Sequence, residues 1–257
     1  MHLPDTPPLP ARSPSLLILS FTAIVLLATH NTRGQQATSK DAPPAVNPEI
    51  NAQFTDPDVR EFIKRFESES REIYAQREAI VGALGLRPGM AVADVGAGTG
   101  LFTRLMADKV GPAGTVYAVE ISAPFLRHIA EQAKARHQPQ VKTVRGAQNR
   151  TNLAPGSVDL VFICDVYHHV EQPDPWLATI HSALRPGGRL VLIEFDRARA
   201  TASSFVKKHV RDDREVFIDE IAAAGFETIA TPGAPALKEN FFQAFRKVAV
   251  RPAQPKP

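Results

Sequence analysis

The chain predicts an α/β fold of three layers: a mostly parallel, seven-stranded sheet with helices on both faces and an antiparallel C-terminal edge region. Three observations carry this. Apolar, β-branched runs alternate with stretches of helical period between residues 91 and 195. A glycine-spaced turn, "DVGAGTG" at 94–100, joins the first run to a helical pattern. "ENFFQAFRKVAV" at 239–250 alternates in the way an edge strand does.

Each element follows from its pattern. Val59, Phe62, Ile63 and Phe66 fall at i, i+3, i+4 and i+7, one apolar helical face. "REIYAQREAIVGALG" at 71–85 predicts a second helix, closed at Gly85. "LRPGM" then leads into a strand over 91–96, and "LRPGG" leads in the same way into a strand over 189–195. In both, a proline that cannot continue a helix meets a glycine that permits the turn. Between them come a helix near 100–109, a strand over 115–120 and a helix capped by Ser122 that buries Phe125 and Ile129. Strands over 141–145 and 158–164 follow, then a helix marked by Trp176, Leu177 and Ile180. A last helix near 213–224 ends at Gly225, with strands near 226–230 and 240–248.

A chain of 257 residues with 44% hydrophobic content supports one such domain. The net charge is +3 and the basic residues are scattered without interleaved aromatics, so no nucleic-acid partner is expected. Cys164 is the only cysteine, which excludes an intrachain disulfide and a cysteine-built metal cage; inside an apolar run it reads as a small buried hydrophobe.

The N-terminus reads differently. Arg12 precedes the apolar run "LLILSFTAIVLLA" at 16–28, short of the roughly 20 residues of a membrane span and suited to a signal-peptide core. Residues 1–34 are therefore expected to be a signal peptide or membrane anchor, and 35–57 a flexible linker. The folded domain is expected over 58–250 and a disordered tail over 251–257. An exported (periplasmic or extracytoplasmic) or membrane-anchored location follows from the same run.

The glycine turn can be tested against its possible ligands. A phosphate loop needs a lysine directly after its glycines, and none comes before Lys109. A dinucleotide fingerprint needs a third small residue where Leu101 or Thr103 stands, which argues against a dehydrogenase. What remains is Asp94-Val95-Gly96-Ala97-Gly98-Thr99-Gly100, followed by Glu120 at the end of the second strand.

This motif resembles the first motif of the class I S-adenosylmethionine-dependent methyltransferases. "VDLVFICDVYHHV" at 158–170 and "ALRPGGRLVLIEF" at 183–195 resemble later motifs of that superfamily, and the resemblance covers roughly 72–248. It implies a Rossmann-like methyltransferase fold with S-adenosyl-L-methionine as co-substrate. It further implies that Asp94 helps place the methionine ammonium, that Gly96, Ala97, Gly98, Thr99 and Gly100 form the floor, and that Glu120 accepts the ribose hydroxyls. Ile121 packs on the adenine, and Asp165 completes the set. One departure stands out. Ala147 occupies the place of the acid that receives the adenine amino group in many relatives, so its backbone amide is expected to reach the ring and the Gln148 or Asn149 side chain to accept the amino hydrogen bond instead.

Methyl transfer needs alignment above all, and a base only where the acceptor must lose a proton. Tyr167, His168 and His169 are the catalytic candidates, the tyrosine as an aromatic wall and a histidine as base. No metal is expected, because the adjacent histidines have no third ligand near them in sequence. Tyr74 and Arg77, one turn apart, are candidates for a lid over the cofactor. The resemblance points to a small-molecule or lipid-like acceptor, with an exported, non-catalytic binding domain as the alternative.

Overall fold

The computed structural model describes Val46 and residues 48–248. The expected signal or anchor (1–34) and tail (251–257) lie outside the described residues. Among those residues no helix is long and apolar enough to cross a membrane.

Seven strands form one sheet: β1 (Ala91–Val95), β2 (Thr115–Glu120), β3 (Val141–Arg145), β4 (Val158–Cys164), β5 (Leu184–Phe195), β6 (Phe226–Ile229) and β7 (Asn240–Lys247). Their order is β3-β2-β1-β4-β5-β7-β6, parallel from β3 to β5, with β7 antiparallel to both of its neighbours. Successive residues of β5 enter opposite cores, Leu190 and Leu192 on one face and Val191 and Ile193 on the other. Both faces are therefore covered, as the near-continuous apolar runs require.

One strand lies elsewhere than expected. β7 does not form the edge; it sits between β5 and β6, and the four-residue β6 takes the edge. The reason is in its side chains. Phe241 and Phe245 fill one core while Ala244 and Phe242 pack into the other, so both faces of β7 need cover.

The helices are α1 (Val59–Phe66), α2 (Glu72–Ala75), α3 (Arg77–Ala83), α4 (Leu101–Val110), α5 (Ala123–Ala135), α6 (Pro173–Ala183), α7 (Ser204–His209) and α8 (Arg214–Ala223). Asp58 starts α1 by accepting the Arg60 and Glu61 amides at 2.9 and 3.4 Å. The single helix expected over 71–85 is broken at Gln76, where the Arg77 guanidinium donates to the Tyr74 carbonyl at 2.7 Å and closes the first piece. Ser122 stands at the start of α5 but makes no side-chain cap, and its hydroxyl is buried without a partner. α7 has no counterpart in the sequence pattern. It is less than two turns long, too short to show a period, and is capped by Ser203, which accepts the Val206 amide at 3.2 Å.

The linker expected over 35–57 is not structureless at its end. Residues Pro48–Phe54 form a 3-10 turn, and Asn51 is buried, donating to the His169 carbonyl at 3.1 Å and to Glu171 at 2.9 Å. These two bonds dock the segment on the loop that follows β4. β1 and β4 are neighbours whose chains continue in opposite directions across the sheet, so a crevice opens past their carboxyl ends.

Candidate active site

The turn after β1 forms the floor of that crevice. Gly96 has φ +79°, and a Cβ there would lie 2.3 Å from Val166, so the loop after β4 packs directly on bare backbone. Gly98 differs. Its φ is +52°, but a Cβ would meet nothing closer than Phe66, at 3.8 Å. Beside it lies a cavity of about 340 Å³, bounded by the glycine turn, Glu120, Ile121, the 146–150 loop, α1 and the residues after β4.

Two buried acids flank the floor. Asp94 accepts the Thr103 hydroxyl at 2.6 Å, and burial raises its carboxyl to about pKa 7. Glu120 accepts the Gly98 amide at 2.9 Å with one oxygen, and the Ile121 and Ser122 amides at 2.7 and 2.9 Å with the other. Burial raises its pKa too, against these three hydrogen bonds. Glu120 thus reaches across from β2 to the turn after β1, which brings together the two parts of the expected nucleoside site. Thr99 makes a different bond. Its hydroxyl donates to Glu67 at 2.8 Å and ties the floor to the end of α1.

Two expected roles change, and a third residue is tied to the protein. The Ala147 amide donates to the Arg150 carbonyl at 2.9 Å, so it is not available to an adenine; of the two amide side chains expected there, Gln148 stands at the cavity wall and Asn149 does not. Asp165 lines the cavity, as expected of a site residue, and is held there by Arg71 at 2.5 Å and the Asn240 amide at 2.6 Å. It stands at φ +53°, in the left-handed region, and burial lifts its pKa to about 6 against the pull of Arg71. Tyr74 and Arg77 do not line the cavity; the guanidinium lies over the tyrosine ring, 4.0 Å from its centre. Arg71, Phe66 and Phe54 line it instead.

The loop after β4 separates its aromatics. Tyr167 is not a wall of the cavity. It is fully buried in the core, packing on Trp176 and Phe217 and donating to Glu220 at 2.7 Å. His168 and His169 both line the cavity. His168 is 2% exposed and its Nδ1 meets Glu194 at 2.8 Å. Burial alone would lower its pKa, but the Glu194 carboxylate outweighs burial and holds it raised. His169 is lowered to about 2 by burial and by its neighbours His168 and His209, so it is neutral. Cys164 is a thiol raised well above its ordinary value by burial, consistent with a structural role.

A family profile described as "Methyltransferase domain" matches residues 93–190, the stretch from β1 to β5 that carries the turn, Glu120 and the two loop histidines. Residues 93–190 carry a methyltransferase domain. A demethylmenaquinone methyltransferase of Beutenbergia cavernae is 35% identical over 120 residues, 46% of each protein. A ubiquinone/menaquinone biosynthesis C-methyltransferase, UbiE, of Bordetella parapertussis is 30% identical over 117 residues, 46% of this chain and 45% of that one. The chain thus spans less than half the length of these curated relatives. In fold, a SAM-dependent methyltransferase from Aquifex aeolicus superposes with TM-score 0.63 at 21% identity, over 74% of this chain and 99% of that one.

The residues of the methyltransferase domain fit the methyl donor this family implies: a glycine-rich floor open at Gly98, with Asp94 and Glu120 as buried acids beside it. Three contributors are not among the residues expected from the sequence. Glu194 orients His168 from the end of β5, His209 joins the histidines from α7, and Arg71 ties down Asp165. Glu194 has a signal, the lone acid in the apolar run "LVLIEF". His209 has none.

Proposed function

We propose that the chain transfers a methyl group from S-adenosylmethionine to a small, largely apolar, lipid-like acceptor. The observation that carries this is the Glu120 carboxylate touching the Gly98 amide beside an open cavity. Bound there, S-adenosylmethionine supplies an activated methyl on a sulfonium. The chain's own part is positional. Glu120 and the glycine floor hold the nucleoside, Asp94 faces the amino-acid end, and Phe66 and Arg71 exclude water. At the acceptor end, Phe54, Trp176, Phe195 and Phe205 offer apolar surface, and the Glu194-oriented His168 offers one polar nitrogen for a hydroxyl. The names of the two curated relatives, which point to quinone biosynthesis, support an acceptor with an apolar body.

Incubation of the chain with methyl-labelled donor and a panel of demethylated quinols, prenyl phosphates and amines tests this reading. Label is expected in an apolar acceptor; transfer confined to polar amines contradicts the acceptor class. From residues 16–28 we also infer export or membrane attachment, checked by the mass of the mature N-terminus in cells.

A further inference from the structure

We propose that His168, His169 and His209 form a site for a divalent transition cation of the zinc class at the acceptor end of the cavity. His168 and His169 come from the loop after β4, and His209 from the end of α7, distant in sequence. The third ligand that the sequence around the histidine pair lacks is therefore supplied by the fold.

Their ligand nitrogens all lie within 4.8 Å of one another, and the ring centres are 4.1 to 5.1 Å apart. All three line the cavity. Glu194 holds His168 Nδ1, which leaves Nε2 as the free nitrogen, the carboxylate–histidine arrangement that orients metal-binding imidazoles. His169 Nδ1 is buried with no hydrogen-bond partner, and a cation or a ligand to it would satisfy that atom. The rings are also held in place: Phe205 stacks on His209 at 4.8 Å, and Phe54 meets His169 edge-on at 5.2 Å.

Charge favours a cation as well. Glu194 is fully buried and accepts from His168 Nδ1, the His168 amide and the Phe195 amide, and its ion pair is with His168. A metal on His168 would supply lasting positive charge beside that carboxylate. Arg65 opposes this, but its guanidinium is engaged by Gln53 at 3.0 Å and by the faces of Phe62 and Phe66. Imidazole ligands suit zinc and its neighbours in the transition series, and three protein ligands leave a position open. Facing the cavity, that position suits a hydroxyl or carbonyl oxygen of the acceptor, which then meets the cation in place of the His168 nitrogen. The acceptor's part rests on the proposed function; metal binding itself does not.

The test titrates the untagged, chelator-stripped chain with Zn²⁺ alone by calorimetry, with S-adenosylhomocysteine titrated separately. One Zn²⁺ per chain is expected. His209→Gln should weaken it at least about a hundredfold, and Glu194→Gln about 10–100-fold, with S-adenosylhomocysteine binding retained in His209→Gln. No stoichiometric zinc, or equal zinc affinity in His209→Gln, overturns the site while leaving the methyl-transfer reading intact. Zinc binding that needs His209, without S-adenosylhomocysteine binding, upholds the site and overturns the methyl-transfer reading.

Discussion

Gly98 and Asp94 show how single residues set the proposed ligand's terms. Gly98 combines a left-handed φ with a position on the cavity wall, so Gly98→Val strains the backbone and places a branched side chain where the nucleoside would lie. S-adenosylhomocysteine binding is expected to fall at least about a hundredfold, about 2.7 kcal/mol, as read by calorimetry. Asp94 gives a pH dependence. Its folded pKa of about 7 is raised from 3.8 by burial, so its contribution to stability is fully present below the unfolded value and is lost as pH rises through about 7. The ligand ammonium needs the opposite state, the carboxylate. Affinity for S-adenosylhomocysteine should therefore rise between pH values about one unit either side of that pKa while the ligand-free melting temperature falls. Asp94→Asn should flatten both trends.

At the scale of elements, one tie connects three pieces of chain: Arg71 before α2, Asp165 after β4 and Asn240 at the start of β7. Arg71→Met leaves a buried carboxylate without its cation and is expected to cost about 3 kcal/mol in urea denaturation. Asp165→Asn in the same chain should recover most of this, since asparagine tolerates the left-handed backbone. The tie also shows where sequence reading stops. The strands, α4, α5 and the glycine turn are legible because period and turn chemistry are local. Arg71, Asn240 and His209 reach the tie and the histidine cluster through tertiary packing; no local pattern marks Asn240 or His209, and the lid expected of Tyr74 and Arg77 falls just past Arg71, the residue that lines the cavity. Tyr167 escapes sequence reading for a related reason: consecutive residues of a short 3-10 turn (Tyr167–His169) point in different directions, and sequence alone does not say which faces the cavity.

For the whole molecule, the sheet order puts the site where β1 and β4 diverge, and the docked Pro48–Phe54 turn lies against it. Asn51→Ala removes the two bonds that hold that turn. It is expected to raise KM for the acceptor severalfold with little change in S-adenosylhomocysteine affinity, as measured by steady-state kinetics and calorimetry. A ligand that binds only the folded chain also stabilises all of it, by about 2.7 kcal/mol at a hundredfold excess over Kd. The most direct measurement is calorimetric titration of the chain with S-adenosylhomocysteine, beside Gly98→Val. The account predicts saturable one-to-one binding that the substitution abolishes; no heat at millimolar ligand, or equal binding by the variant, contradicts it.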